Sequence, residues 1–257
     1  MSSKQIILAV HGLGGHSGWF DNLKTELQKY NIDFYAYDLP GFGQNHALGR
    51  ISSHFTRGHI DSFQEWIDFV KKKYQALVAQ NPDAKISILG HSLGAVLVSN
   101  IQLRPGDSLI LSVPGYKGSS KTFNPFFVIS TLFKYLVDKC LFARDVYVEM
   151  PVSEKMQETP AMKDPLRVSS VTQTLLFEIL QLGNYTKSNL TNIKNPVLLI
   201  QMKDDQVVDN ETQNNYFEKI ASSNKSIKIF SGADHDWIWY PIREEIAFGI
   251  AIWLKSL

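Results

Sequence analysis

The sequence predicts an α/β fold with a mostly parallel central sheet, helices on both of its faces and a helical cap inserted over the crevice. Three observations carry this. Short apolar runs rich in branched side chains recur along the chain, helical patterns separate them, and one connection is far longer than a crossover needs.

The runs at residues 6–10, 34–37, 86–89, 109–113, 197–200 and 227–230 read as buried strands. Between the second and third, Phe63, Trp66, Ile67, Val70, Tyr74, Leu77 and Val78 recur at three-and-four spacing, which lays one apolar stripe along a helix that Asn81-Pro82 ends. Strand and helix alternate, so ligands are expected in the crevice beyond the carboxyl ends of the strands. The segment 114–194 breaks the rhythm and is read as a cap, leaving 1–113 and 195–257 as the core. Within the cap, Phe123, Phe126, Phe127, Val128, Ile129, Leu132, Phe133, Leu136 and Val137 are densely apolar, and Val171, Leu175, Leu176, Ile179 and Leu180 form a second helical stripe.

Composition removes several classes. With 26 basic against 25 acidic residues and a net charge of +1, nothing points to nucleic acid as a partner. Cys140 is the one cysteine, so neither an internal disulfide nor a multi-cysteine metal site can form. No signal-peptide pattern and no run of about 18 apolar residues occurs, which points to a cytoplasmic protein. At 257 residues and 44% hydrophobic content a substantial core is expected.

The chemistry concentrates in Gly90-His91-Ser92-Leu93-Gly94, set between the third strand and the apolar Ala95-Val96-Leu97-Val98. A strand turning abruptly into a helix strains its turn residue, and neighbours two positions away must lack side chains. Gly90 and Gly94 meet that need, and the turn lifts the Ser92 hydroxyl clear of the sheet at a helix amino end. An ordinary turn serine is the bland alternative. A serine needs a general base and a group that orients the base. Of seven histidines, only His235 follows this motif, in a loop just after the last strand. For the acid, Asp204, Asp205 and Asp209 compete in "KDDQVVDN"; Asp205 is favoured, and Asp209 is read as the cap of the next helix.

An oxyanion hole requires two N–H donors, for which the Gly-rich turn after residue 10 offers Leu13 and the elbow offers Leu93. A dinucleotide loop is disfavoured because Ser17 stands where the third glycine of G-x-G-x-x-G belongs. His11 and His91 are expected to pack beneath the loop and the elbow; His16, His46, His54 and His59 carry no usable pattern.

Taken together, "HGLGGHSGWF", "YDLPGFGQN", "GHSLG", "KDPLR", "KDDQVVD" and "GADHDW" resemble the α/β-hydrolases, and within them the monoacylglycerol lipase and lysophospholipase group. The resemblance implies a Ser92, Asp205, His235 triad with Leu13 and Leu93 as oxyanion donors, acting on carboxylic esters without cofactor or metal. Asn45, Met202 and Asp234 depart from the residues that the group often carries, and Asp234 matters because its carboxylate adjoins His235. The cap phenylalanines Phe123, Phe126, Phe127 and Phe133 are the candidates for contact with an apolar acyl chain or, transiently, with a membrane or micelle; filling the cap's own core is the alternative. A non-lipid ester, thioester or peptide substrate, or a ligand-binding protein with little turnover, stays open. Ser92 excludes the haloalkane and epoxide chemistry that places aspartate at the elbow.

Overall fold

The computed structural model describes residues 4–45, 57–119, 129–130, 133–134, 136–137 and 147–257. Six parallel strands make the central sheet, in the order β2-β1-β3-β4-β7-β8. They are β1 (Gln5–Val10), β2 (Ile32–Ala36), β3 (Lys85–His91), β4 (Ser108–Ser112), β7 (Val197–Met202) and β8 (Lys225–Phe230). All six segments expected from the sequence are strands, with ends shifted by a few residues where polar residues extend the ladder.

Near-continuous apolar runs suit the four inner strands, whose two faces are both covered, whereas the edge strand β8, expected to be buried, leaves Ile227 and Ile229 exposed because no layer covers that face. Alternate side chains go to opposite layers: Ile6, Leu8 and Val10 join one core with Trp66, Val70 and Leu97, while Ile7 and Ala9 join the other with Leu23, Leu27, Ile246 and Ile250. The helices responsible are α1 (Asp21–Gln28), α2 (Gln64–Gln80) and α3 (Leu93–Val98), followed by α4 (Gln173–Asn189), α5 (Asn210–Glu218) and α6 (Arg243–Lys255). The α2 stripe buries Trp66, Ile67, Val70, Tyr74 and Leu77, as its periodicity requires.

The chain runs outward from β1 to β2, then returns across β1 to build β3 and the rest of the sheet. That reversal leaves a crevice between the carboxyl ends of β1 and β3, where Val10 pairs with Gly90. The loops after these two strands therefore face each other.

The segment between β4 and β7 is not wholly helical. It contains β5 (Tyr147–Glu149) and β6 (Ser170–Thr172), paired antiparallel. Val171 belongs to β6 and pairs with Val148, so it is not part of the helical stripe expected of it. The reason is local: the Thr172 side chain accepts the Leu175 N–H at 3.2 Å and starts α4 one residue later. Leu175 and Leu182 of α4 then join the core cluster that also holds Val96 and Leu97. Phe123, Phe126, Phe127, Cys140, His46 and His54 lie outside the described residues. Among the described residues no helix is long and apolar enough to cross a membrane.

Candidate active site

Strand β3 delivers Ser92 in a conformation that few residues adopt, with φ 56° and ψ −118°. Such backbone strain persists only where the surroundings over-determine it. Here they do. The Ser92 N–H donates to the Ser112 carbonyl at 2.9 Å, and its carbonyl accepts from Ala95 at 3.0 Å and Gly115 at 3.1 Å.

The flanking glycines are steric necessities. A Cβ on Gly90 would lie 2.4 Å from the Gly94 carbonyl oxygen, and one on Gly94 would lie 2.2 Å from that of Val10. The bend is thus wedged against the end of β1, where no side chain fits. Ser92 stays partly exposed, so its hydroxyl can meet a ligand.

Three polar side chains from separate loops converge there. Ser92 Oγ lies 2.8 Å from His235 Nε2, and His235 Nδ1 lies 2.9 Å from Asp205 Oδ2. The other carboxylate oxygen of Asp205 accepts the Val207 and Val208 N–H groups at 2.8 and 2.9 Å, which fixes its orientation. That loop is itself held, since Val207 accepts from Ser119 and Asp209 donates to Lys117. Asp204 is exposed, and Asp209 caps α5 by accepting the Thr212 N–H at 3.0 Å. Tertiary placement thus separates three aspartates that sequence left in competition.

The Gly-rich loop after β1 closes the other side. A Cβ on Gly12 would stand 2.9 Å from Ser92 Cβ, so the loop lies directly against the serine. Among the described residues, neither the Leu13 nor the Leu93 N–H meets an acceptor, which leaves two donors for a negatively charged oxygen. Beneath the loop, His11 Nδ1–H donates to the Gly12 carbonyl at 2.8 Å and its Nε2 accepts the Leu39 N–H at 3.0 Å. Burial pushes His11 down to about 4, so it stays neutral in this role.

His16 and Asp164 are participants that sequence reasoning missed. His16 Nε2 stands 2.6 Å from Asp164 Oδ2, the same oxygen accepts from Trp19 Nε1 at 3.0 Å, and Val168 donates to the Gly14 carbonyl at 2.9 Å. The "KDPLR" stretch therefore braces the loop that carries Leu13. Its distance in sequence, 148 residues between His16 and Asp164, hides the pairing.

His235 sits among carboxylates. Burial opposes its charge, but Asp205, then Asp236 and Asp234, outweigh burial and raise it to about 9. Asp234 does not compete for the imidazole: its Oδ1 accepts the Gln206 N–H at 2.8 Å, while its buried Oδ2 has no partner among the described residues. His91, whose ring centroid lies 5.3 Å from that of His235, is held low by burial, against the pull of Asp236.

The chain matches a family model, described as serine aminopeptidase S33, over residues 1–239. It is 25% identical over 236 residues to human monoglyceride lipase, spanning 90% of this chain and 75% of that protein. It is also 25% identical over 246 residues to phospholipase YtpA of Bacillus subtilis strain 168, spanning 94% and 91%. A solved monoacylglycerol lipase from Paleococcus ferrophilus superposes with a TM-score of 0.76 at 24% identity, covering 98% of this chain and 94% of that one. A six-stranded parallel sheet, a serine at a strained bend and a match over most of the chain lead to one conclusion: the chain belongs to the serine aminopeptidase S33 family and is an α/β-hydrolase similar to the monoglyceride lipases.

Proposed function

We propose that the protein hydrolyses carboxylic esters through Ser92, His235 and Asp205, with monoacylglycerol or lysophospholipid-type lipid esters as substrates and no cofactor or metal. The observation that carries this reading is the unbroken line from Ser92 Oγ through the imidazole to Asp205. Neutral His235 takes the hydroxyl proton at Nε2 as Oγ attacks the ester carbonyl, and Asp205 holds the Nδ1 proton and stabilises the imidazolium. The Leu13 and Leu93 amides receive the oxyanion, each worth about 3 kcal/mol of barrier. His235 then protonates the departing alcohol, and water repeats the sequence on the acyl-enzyme.

Residues 114–194 act as the cap that selects substrate, with α4 as its seat on the core. Ile129, Phe133 and Leu136 follow a four-then-three spacing and are 66%, 68% and 51% exposed. An apolar stripe turned outward supports transient contact with a membrane or micelle in a cytoplasmic enzyme. The exposure of Phe133 supports that surface role over filling of the cap's own core.

Hydrolysis of a homologous series of esters, from a short soluble ester to a long-chain monoglyceride, tests the reading. Turnover is expected to rise with chain length; faster cleavage of the short ester, with no gain from length, would defeat the lipid assignment. A second reading, an amine leaving group, rests on the description of the matched family, and the same series with an acyl amide would reveal it.

The raised His235 has a consequence for pH. Only neutral imidazole accepts the proton, so kcat/KM is expected to climb through pH 7 and 8, reach half its maximum near 9 and level off about one pH unit above that. Asp234→Asn keeps an acceptor for Gln206 but removes a charge, and should lower that limb by roughly half a pH unit or more. A wild-type limb centred near 6.5, the ordinary histidine value, would contradict the electrostatics. Stability runs the other way. Because the folded value lies above the unfolded one, the contribution of His235 is complete below about 6.5 and is lost as pH rises through about 9.

A further inference from the structure

The glycines around Ser92 divide into two kinds. A Cβ on Gly90 or Gly94 collides with a backbone oxygen, and one on Gly14 would stand 2.7 Å from the Val168 carbonyl oxygen, so main-chain packing excludes a side chain at all three. Gly115 is different. Its φ lies outside the left-handed region, and a Cβ on it would meet the Leu93 nitrogen at 3.5 Å, the Ser92 carbonyl carbon at 3.5 Å and Ser92 Oγ at 3.6 Å, all ordinary contact distances. The fold would therefore admit a side chain at 115, in a spot that touches the nucleophile.

The turn that carries Gly115 is held in place. It follows β4 through Val113, which is fully buried at φ 42°, a conformation that strains a branched residue, and which donates its N–H to the Ile200 carbonyl at 2.8 Å. Gly115 then donates to the Ser92 carbonyl at 3.1 Å, Tyr116 stacks on Tyr216 with ring centroids 4.4 Å apart, and Ser119 donates to Val207 of the acid loop at 2.8 Å. The gap beside Oγ is thus a fixed feature. The other flanks of Oγ already have tasks: His235 Nε2, at 2.8 Å, serves the leaving alcohol, and the loop of Gly12 and Leu13, with the Leu93 N–H, serves the oxyanion. The remaining substituent of the reacting carbon is the first carbon of the acyl chain. With the reacting carbon about 3–3.5 Å from Oγ in an attacking pose, a methyl group at 115 would crowd that acyl carbon and whatever branches from it.

We propose that Gly115 is a specificity-determining residue whose missing side chain makes room for the acyl carbon next to the ester carbonyl, so that the site takes acyl groups branched at that carbon as well as straight ones. This rests on the ester-hydrolase reading above and adds a substrate class to it. Branching exchanges a hydrogen on that carbon for a methyl group, and the methyl needs the volume that an alanine at 115 would fill.

The test compares p-nitrophenyl butanoate with its α-methyl derivative, which shares the same leaving group, on wild type and Gly115→Ala. Wild type should cleave both, and the ratio of kcat/KM for the branched over the straight ester should fall about tenfold in Gly115→Ala, the scale on which a close-fitting site refuses one methyl group. Propyl and isopropyl butanoate, branched on the alcohol instead, should keep their ratio within about twofold. An acyl ratio that falls less than about threefold, or an alcohol ratio that falls as far as the acyl ratio, overturns the proposal. So does a wild type that cleaves the straight ester and refuses the branched one. Thermal unfolding of Gly115→Ala should stay cooperative and close to wild type; its loss would mean that the fold itself needs the glycine, which also overturns the proposal. If wild type cleaves no ester and Ser92 resists fluorophosphonate labelling, the ester-hydrolase reading itself fails and takes this inference with it.

Discussion

Ser92→Ala is expected to abolish ester turnover and fluorophosphonate labelling together, lowering kcat by about 10⁴- to 10⁶-fold. The bend lifts the serine oxygen to within 2.8 Å of His235 Nε2, and alanine supplies no nucleophile there. The substitution removes one partly exposed oxygen and keeps Cβ. The backbone strain at φ 56° is the same for both residues, so thermal stability should change little. Activity and melting temperature measured on the same preparation separate chemistry from folding. A folded variant that retained a tenth or so of wild-type turnover would mean that the reaction does not pass through Ser92.

Asp205→Asn should cost about 10⁴-fold in kcat, whereas Asp204→Asn should stay within about twofold of wild type. The physical reason lies in the two N–H groups of Val207 and Val208, which hold one Asp205 oxygen at 2.8 and 2.9 Å. An asparagine keeps its carbonyl toward those donors, because its NH₂ would clash with them, and so turns the NH₂ toward His235. Nδ1 must then accept, the ring proton moves to Nε2, and Nε2 faces Ser92 as a donor that cannot take its proton. Asp204 is exposed and meets none of these groups. If Asp204→Asn were the inactive variant, the acid assignment would be wrong.

The two outcomes bear differently on sequence and structure. The elbow was legible because its constraint is local. Five residues, two of them glycine, between an apolar strand and an apolar helix can form only a narrow set of backbones, and Gly90 and Gly94 are spaced for the contacts that a side chain would violate. The α2 stripe was legible for the same reason, since one face of a helix repeats within a few residues. The insertion was less so. Val171 continues an apolar pattern but sits in β6, because the Thr172 cap and the pairing with Val148 decide where α4 begins.

Contacts between distant segments left no pattern in the chain. His16 carries no local signal, yet with Asp164 it braces the oxyanion loop; nothing in "KDPLR" announces a partner 148 residues away. Asp234 departs from what the resembled group often carries. Its part, holding Gln206 while its charge raises His235, follows from where the acid and histidine loops meet.

By itself the sequence determined the alternation of strand and helix, the bend at Ser92 and the short set of residues able to serve it, because each depends on neighbours within a few positions. Only the tertiary structure decided which aspartate orients His235, how far that imidazole is raised, and which residue braces the loop that carries Leu13. Hydrogen bonds and fields between loops act through distances in space, and a linear order of residues does not contain those distances.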